Sequence, residues 1–292
     1  MKAMIMAAGF GTRLRPLTDN FPKALVPVLN RPVLERNIEY LGKYGIRDII
    51  INAHYHRDLI QEYAASCKIP NVNLTVSPED EILGTGGGIA RCREFLKDDT
   101  FLVINSDILT NINLDDAVAS HTASGAPVTM VLHDCSRFNQ LDITPDNKVK
   151  AIHTNTAPGR LAFTGIHMLE PEIFNYLPED GYADIISNCY NPLIESGKSI
   201  NALIATDHYW YDIGTTESYK KANMDFLKFV NTQFIKGENT RLDSSVTLKN
   251  WAVIGNNVTI EKNVEIDSSI IWDNVIIKAG TKIKDTIVTP RL

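Results

Sequence analysis

The chain has 292 residues, of which 44% are hydrophobic and 22% charged, which is typical of one large soluble domain or two ordinary ones. Its 29 Lys and Arg against 35 Asp and Glu give a net charge of −6. This balance argues against a general nucleic-acid binder, which needs a basic face. No stretch approaches the roughly 18 apolar residues of a membrane span, and the apolar run at residues 3–8 is too short for a signal peptide.

Four cysteines are scattered along the chain without a CxxC pair: Cys67, Cys92, Cys135 and Cys189. This spacing favours free thiols in a reducing cytosol over a disulfide framework or a zinc site. We therefore expect a soluble, cytoplasmic protein that binds neither nucleic acid nor membrane.

Short apolar runs alternate with amphipathic stretches from residue 1 to about residue 232. The predicted strands cover 2–8, 48–52, 73–77 and 101–105, and the predicted helices cover 33–44, 57–65 and 87–96. This alternation predicts βαβ units and a mainly parallel sheet with helices on both faces. Further strand-like runs at 127–133, 161–169 and 199–205 predict a mixed region of sheet. A last helix is expected from 216 to about 230, with Thr215 suited to its N-cap and Glu217 to its first turn.

After Asn239 the sequence changes to a period of six. Small aliphatic residues recur at Val246, Ala252, Val258, Val264 and Ile270. A six-residue period is typical of a parallel β-helix, and the alternative, a β-meander, has a period of two. The sequence therefore predicts a short left-handed parallel β-helix over 240–292, following a larger domain over 1–235.

A β-helix of two or three coils leaves strand edges and end faces exposed. We therefore expect a homo-oligomer, most simply a dimer, held in part by residues after 240. Trp251 and Trp272 are large apolar side chains suited either to that contact or to the core.

A glycine-rich turn, AAGFGTRLRPLT at residues 7–18, directly follows the first predicted strand. Glycines there let backbone N–H groups approach phosphate oxygens. The dinucleotide fingerprint fails because Leu14 stands where it needs glycine, and no Gly-Lys-Ser/Thr completes a Walker A motif. With Arg13, Arg15 and Lys23 nearby, the turn offers the cations that a triphosphate requires. The loop by itself is equally consistent with a structural turn.

The pattern GxGTRLxPLT, followed by PKALVP at 22–27, resembles the signature of the sugar-1-phosphate nucleotidyltransferases. LGTGGG at 83–88 is similar to that family's base-reading loop, and FTGI at 163–166 to its sugar loop. NSD at 105–107 and WYDIGT at 210–215 are similar to its two metal motifs. The resemblance implies a Rossmann-like α/β domain that transfers a nucleoside monophosphate from an NTP to a sugar 1-phosphate.

The resemblance also implies a role for particular residues. Arg13, Lys23 and Asp107 are the expected catalytic residues, and Asp107 and Asp212 the expected Mg²⁺ ligands, since hard carboxylates suit that ion. Asp207 competes with Asp212 but lacks the Asp-Ile-Gly-Thr context. The expected nucleotide-binding residues are Ala8, Gly9, Gly11, Thr12, Arg13, Glu79 and Gly84. The expected sugar-phosphate-binding residues are Thr164, Gly165 and Asp184.

Two other classes of function are weighed against this one. Acyl transfer, common in hexapeptide-repeat proteins, is disfavoured because no histidine follows His208. A regulatory paralogue without turnover would be expected to show a broken signature. Within the transferases, a mannose-1-phosphate guanylyltransferase is favoured. The alternatives are a uridylyltransferase, such as one for N-acetylmuramate 1-phosphate, and a thymidylyltransferase.

Overall fold

Strands and helices alternate along the chain in the computed structural model, which describes residues 1–290. The helices are α1 (Val33–Lys43), α2 (Arg57–Ser66), α3 (Gly84–Arg91), α4 (Arg93–Leu96), α5 (Leu114–Ser124), α6 (Asn191–Glu195) and α7 (Thr216–Phe229). The strands up to residue 212 are β1 (Lys2–Met6), β2 (Pro27–Val28), β3 (Arg31–Pro32), β4 (Asp48–Ala53), β5 (Asn73–Pro78), β6 (Phe101–Asn105), β7 (Ile108–Thr110), β8 (Val128–His133), β9 (Leu141–Ile143), β10 (Val149–Ile152), β11 (Ala162–Leu169), β12 (Ile200–Ile204) and β13 (Trp210–Asp212).

The remaining strands are short and lie after residue 233. They are β14 (Phe234–Lys236), β15 (Arg241–Leu242), β16 (Thr247–Ile254), β17 (Thr259–Ile260), β18 (Glu265–Ile271), β19 (Ile276–Ile277), β20 (Lys282–Lys284) and β21 (Ile287–Val288). Within residues 1–290, none of the helices is long and apolar enough to cross a membrane. The four cysteines are free thiols, as predicted.

Two compact units divide the chain. The first comprises residues 1–10, 22–24 and 34–210, and the second comprises residues 11–21, 25–33 and the chain from 211 onward. Residues 291 and 292, the end of the segment predicted as a β-helix, lie outside the described residues.

A seven-stranded sheet forms the centre of the first unit, in the order β12-β8-β11-β6-β1-β4-β5. Neighbouring strands are parallel except that β11 runs antiparallel to both β6 and β8. Strand β1 lies inside this sheet, and Ala3, Met4 and Ile5 are fully buried. The predicted α/β class with a mixed, mainly parallel sheet is therefore confirmed.

The predicted helix at 87–96 is in fact two helices, α3 and α4, and α3 begins three residues early at Gly84. Glycine is among the poorest helix formers, so the run LGTGGG gave no helical signal for the first turn of α3. That turn is stabilised by a residue outside the helix, because the N–H groups of Gly86 and Gly87 donate to the carbonyl of Ala183 at 2.8 and 3.1 Å. Helix α7, by contrast, begins where predicted, after the N-cap Thr215, whose side chain forms a capping box with Ser218.

The second unit contains two parallel sheets. One has the order β14-β16-β18-β20, with β21 also paired to β18, and the other has the order β15-β17-β19. Hydrogen bonds link residues 18 or 17 positions apart, as between Glu238 and Asn256 or between Asn256 and Asp273. The residues of the six-residue period from Ala252 to Ile270 are buried, and so is Trp272.

Candidate active site

Several strands of the first unit end at one edge of its sheet. β1, β4, β5 and β6 run parallel, so their carboxyl ends lie at the same edge, where open α/β sheets bind ligands. Ala7 and Ala8 follow β1, Asn52 lies near the end of β4, Glu79 follows β5 and Asp107 follows β6. The predicted nucleotide and metal residues of this unit therefore share one edge.

Lys23 and Asp107 form an ion pair at this edge. Their side chains are 14% and 20% exposed, so each charge is largely withdrawn from water and stabilised by the other. Lys23 lies in a short 3₁₀ turn, Lys23–Leu25. The turn that carries Asp107 is fixed by Asn37, whose Nδ2 donates to the Ser106 carbonyl at 3.0 Å. The structure thus brings together two of the three predicted catalytic residues.

The glycines of the loop after β1 have different structural requirements. A Cβ on Gly9 would meet no atom within 4 Å, so this exposed backbone is open to a ligand. Gly11 has φ +64°, a left-handed conformation that favours glycine, and it precedes the 3₁₀ turn Thr12–Leu14. Its carbonyl accepts a hydrogen bond from Thr18 at 2.9 Å.

Arg13 and Asp212 lie against the same glycine in the second unit. A Cβ on Gly214 would stand 2.7 and 2.8 Å from the two carboxylate oxygens of Asp212, and 3.1 Å from Nη2 of Arg13. A side chain at position 214 would therefore force the Asp212 carboxylate to move. The glycine of the Asp-Ile-Gly-Thr motif thus allows the aspartate and the arginine to occupy their present positions.

A chain of buried hydrogen bonds connects three of the strand ends in the first unit. The amide of Ala7 donates to Oδ1 of Asn52 at 2.8 Å, and Nδ2 of Asn52 donates to Oε1 of Glu79 at 2.7 Å. Oε2 of Glu79 accepts from the Leu83 amide at 3.1 Å. Asn52 and Glu79 are each 1% exposed. Both carboxylate oxygens of Glu79, the predicted base contact, are thus engaged inside the protein, where they hold the residue before Gly84.

The glycines of the loop at 83–88 allow a second segment of the chain to approach. Gly84 has φ +71°, and a Cβ on it would stand 2.6 Å from the Ala183 carbonyl and 2.8 Å from the ring of Tyr182. The Ala183 amide in turn donates to the Leu83 carbonyl at 2.9 Å. The glycine run therefore serves contacts within the protein as well as any contact with a base.

Asp184 ties this approaching segment to helix α3. Its Oδ1 accepts from the amides of Ile186 and Ser187 at 3.1 and 2.9 Å, and its Oδ2 accepts from the Thr85 hydroxyl at 3.3 Å. The Ile185 amide donates to the same hydroxyl at 2.9 Å. A carboxylate offers about four acceptor positions, so Oδ2 retains capacity for a further donor.

The other two predicted sugar-loop residues lie on β11. The Thr164 hydroxyl is buried and donates to the Val131 carbonyl at 2.8 Å, while the Thr164 carbonyl accepts from the Trp210 indole at 2.8 Å. Gly165 has φ +82°, and a Cβ on it would stand 2.9 Å from Nδ2 of Asn105. Gly165 therefore lies directly against the strand that leads into Asp107.

His133 packs against Trp210, and His208 packs against His133. His133 is buried, and the centre of its ring lies 4.7 Å from the centre of the Trp210 ring. Its Nδ1 lies 3.2 Å from Nε2 of His208. Burial, and then the neighbouring His208, lower the pKa of His133 to about 4. Among the described residues, His133 Nε2 and His208 Nδ1 are the buried side-chain atoms without a hydrogen-bond partner. His133 is thus a neutral group at pH 7.

Sequence reasoning missed Asn52 and Tyr182. Asn52 has a recognisable signal, because it is a polar residue at the end of an apolar strand in a parallel sheet. Tyr182, whose ring lies over Gly84 although the residue is 70% exposed, has none that we can identify. Within residues 1–290, no three or more His, Cys, Asp or Glu side chains cluster in a way that could hold a metal ion.

The model of the family described as nucleotidyl transferase matches residues 2–228. The chain belongs to this family. The match covers the whole seven-stranded sheet and the site at its edge, and it confirms the resemblance seen in the motifs.

Relatives of this nucleotidyl transferase act on sugar 1-phosphates. A UTP–glucose-1-phosphate uridylyltransferase from a Synechocystis species is 28% identical and aligns with 100% of this chain and 88% of its own length. A mannose-1-phosphate guanyltransferase from Schizosaccharomyces pombe is 29% identical, over 88% of this chain and 74% of its own. The crystal structure of HddC from Yersinia pseudotuberculosis, complexed with GMP-PN, is 28% identical with a TM-score of 0.67, covering 77% of this chain and 99% of HddC. The chain is accordingly an enzyme, a sugar-1-phosphate nucleotidyltransferase.

Replacing Asn52 with alanine should destabilise this nucleotidyl transferase. The change leaves the Ala7 amide and a Glu79 oxygen buried without these partners, so we expect the free energy of unfolding in urea to fall by about 2–3 kcal/mol. Asn73→Ala is the control, because the Asn73 side chain is exposed and donates to the half-buried Asp48; its loss should change stability by at most about 0.5 kcal/mol. Equal losses in the two variants would contradict the buried chain.

The buried, neutral state of His133 predicts a pH dependence of stability. Because its pKa is about 4 when folded and near 6.5 when unfolded, the unfolded chain binds more protons at acid pH. The contribution is complete above about pH 6.5 and is lost as the pH falls towards 4. The free energy of unfolding in urea should therefore fall less between pH 7 and pH 5 in His133→Asn than in the wild type. His56→Asn, at a left-handed position that asparagine tolerates, should retain the wild-type loss; an unchanged loss in His133→Asn would contradict the assignment.

Proposed function

We propose that the chain is a guanylyltransferase that joins GMP from GTP to mannose 1-phosphate or a closely related sugar 1-phosphate, releasing pyrophosphate. The observation that best supports this reaction is the Lys23–Asp107 pair at the carboxyl edge of the sheet. There the lysine can bind a phosphate and the aspartate a metal ion. The guanine preference is supported by the guanyltransferase relative and by the HddC complex with GMP-PN.

The reaction needs no general base from the protein. The nucleophile is a phosphate oxygen of the sugar 1-phosphate, which is already ionised at neutral pH. It attacks the α-phosphorus in line, and the bond to the pyrophosphate oxygen breaks. Catalysis then consists of positioning and charge neutralisation. Lys23 acts at the α-phosphate and Arg13 at the β- and γ-phosphates, while the exposed backbone at Gly9 and the turn at Gly11 and Thr12 approach the phosphates.

We propose Mg²⁺ as the metal. The donor chemistry fits, because Asp107 and Asp212 offer hard carboxylate oxygens and Mg²⁺ takes one or two carboxylates together with water and substrate phosphates. When bound, the ion would neutralise charge on the transferring phosphate. Asp107 keeps one carboxylate oxygen beyond the one paired with Lys23.

Substrate selection is assigned to the two loops beside the edge. The amide of Gly84 is proposed to bind the base, and Glu79 contributes by holding Leu83. The backbone at Thr164 and Gly165 is proposed to lie against the hexose, and Oδ2 of Asp184 to accept from its hydroxyls. Uridylyl or thymidylyl transfer is the alternative, favoured by the uridylyltransferase relative that aligns with the whole chain. A paralogue without turnover is disfavoured because the ion pair and both aspartates are intact.

A panel of substrates tests the proposed function, and variants of Asp107 and Lys23 test the roles of their charges. Pyrophosphate release is measured with four NTPs against several sugar 1-phosphates, and GTP with mannose 1-phosphate should give the highest kcat/KM. Excess chelator should abolish the reaction. Asp107→Asn and Lys23→Ala should each lower kcat by at least about 100-fold, because they remove charge that acts in the transition state. Asp98→Asn, at an exposed surface carboxylate, is the control. Undiminished turnover in chelator, or a change in KM alone, would contradict the assigned roles.

We also propose that the parallel sheets after residue 233 form the short β-helix that the six-residue period predicts, and that the protein is a dimer. The pairing of residues 17 or 18 apart supports coils of three six-residue segments. Trp272 packs inside its own unit, so the exposed Phe229, Val230 and Phe234 replace it as the expected contact. Sedimentation should give twice the chain mass of 32.5 kDa, and Phe229→Asp should shift the mass towards that of one chain. A monomeric wild type would contradict the dimer.

A further inference from the structure

The segment that carries Lys23 is contacted both before and after the lysine by residues from the C-terminal part of the chain. Phe21, two residues before Lys23, packs its ring against Trp272 with ring centres 5.5 Å apart. Pro27, four residues after Lys23, has its carbonyl bonded by the Tyr219 hydroxyl of α7 at 2.7 Å. These contacts join the signature segment to residues that follow it by about 190 positions or more.

One buried hydrogen-bond chain links the two contacts. The indole N–H of Trp272 donates to the Tyr219 hydroxyl at 2.9 Å, and that hydroxyl donates to the Pro27 carbonyl. Tyr219 is fully buried and Trp272 is 8% exposed. Such a chain holds its members in one geometry, because breaking it would leave buried polar groups without partners.

The hairpin that follows Lys23 is strained, and the same elements hold it. Between β2 and β3, Leu29 and Asn30 both have positive φ, +47° and +61°, a conformation that is unfavourable for leucine. The Leu29 amide donates to Oδ1 of Asn223 on α7 at 2.9 Å, and Nδ2 of Asn30 donates to the Ile254 carbonyl on β16 at 2.7 Å. A strained turn persists where its surroundings over-determine it.

We propose that the C-terminal sheets and α7 position Lys23, so that Trp272 and Tyr219 are positioning residues for nucleotidyl transfer. The segment 21–30 is fastened at its start by the Trp272 ring, at Pro27 by Tyr219, and at its strained turn by Asn223 and Ile254. Lys23 lies between the first two of these contacts. The inference rests on the proposed role of Lys23 at the α-phosphate, and it makes the C-terminal sheets a requirement for full turnover.

The test uses conservative variants of the full chain. Tyr219→Phe keeps the buried ring and removes the hydroxyl that joins Trp272 to Pro27. Trp272→Phe keeps an aromatic ring against Phe21 and removes the N–H. The matched control for the loss of a buried tyrosine hydroxyl is Tyr190→Phe in the first unit, where Tyr190 is fully buried and bonded to His167. Trp251→Phe, on strand β16, is the control for the tryptophan.

Amide hydrogen exchange gives a readout that does not depend on turnover. Peptides covering residues 21–33 should exchange faster in Tyr219→Phe and Trp272→Phe than in the wild type. The same peptides should be unchanged in Tyr190→Phe and Trp251→Phe. Unchanged exchange in the first two variants, or equal acceleration in all four, would overturn the inference. This readout holds even if the wild type transfers no nucleotide, an outcome that would refute the proposed function alone.

Turnover gives the second readout. Tyr219→Phe should lower kcat by about 10- to 100-fold with little change in the KM for either substrate, since a misplacement of about 1 Å has effects of this size. On a Lys23→Ala background, the same change should cause no further loss, because Tyr219 acts through Lys23. Additive losses, or a matching loss in Tyr190→Phe, would show a general loosening of the fold and overturn the inference.

Discussion

The ion pair between Lys23 and Asp107 is the interaction on which the rest of the site depends. Neither side chain is more than a fifth exposed, so each would be costly to withdraw from water without the other. The aspartate is held at the carboxyl end of β6 by the parallel register with β1, and its turn by the bond from Asn37 to the Ser106 carbonyl. The lysine is held by its own short turn. The sheet therefore places a carboxylate, and the signature segment supplies the cation that the carboxylate requires.

Several motif residues are needed for contacts within the protein, in addition to any contact with a ligand. The glycines of the loop at 83–88 admit the backbone of Ala183, and the glycine at 214 lies beneath Asp212 and Arg13. Glu79 is buried and bonded at both oxygens. A motif residue can thus be required because it shapes the groups that meet the substrate, and such residues act through their neighbours.

The sequence was sufficient to predict features that depend on local patterns. Apolar runs predicted the strands of the seven-stranded sheet to within one or two residues, Thr215 predicted the start of α7, and the motif spacing predicted the family. It was not sufficient for features set by pairing between distant segments. The start of α3 depends on the Ala183 carbonyl about a hundred residues away. The role of Trp272 depends on Tyr219 and Phe21, and no local pattern encodes either partner.

We propose that a phosphate oxygen of the sugar 1-phosphate attacks the α-phosphorus directly, with the protein contributing charge and position. The configuration at phosphorus tests this most directly, using one diastereomer of a nucleotide that carries sulfur at the α-phosphate. A single in-line displacement predicts inversion in the NDP-sugar product. Retention would require two displacements through a covalent nucleotidyl-enzyme, and it would rule out direct attack.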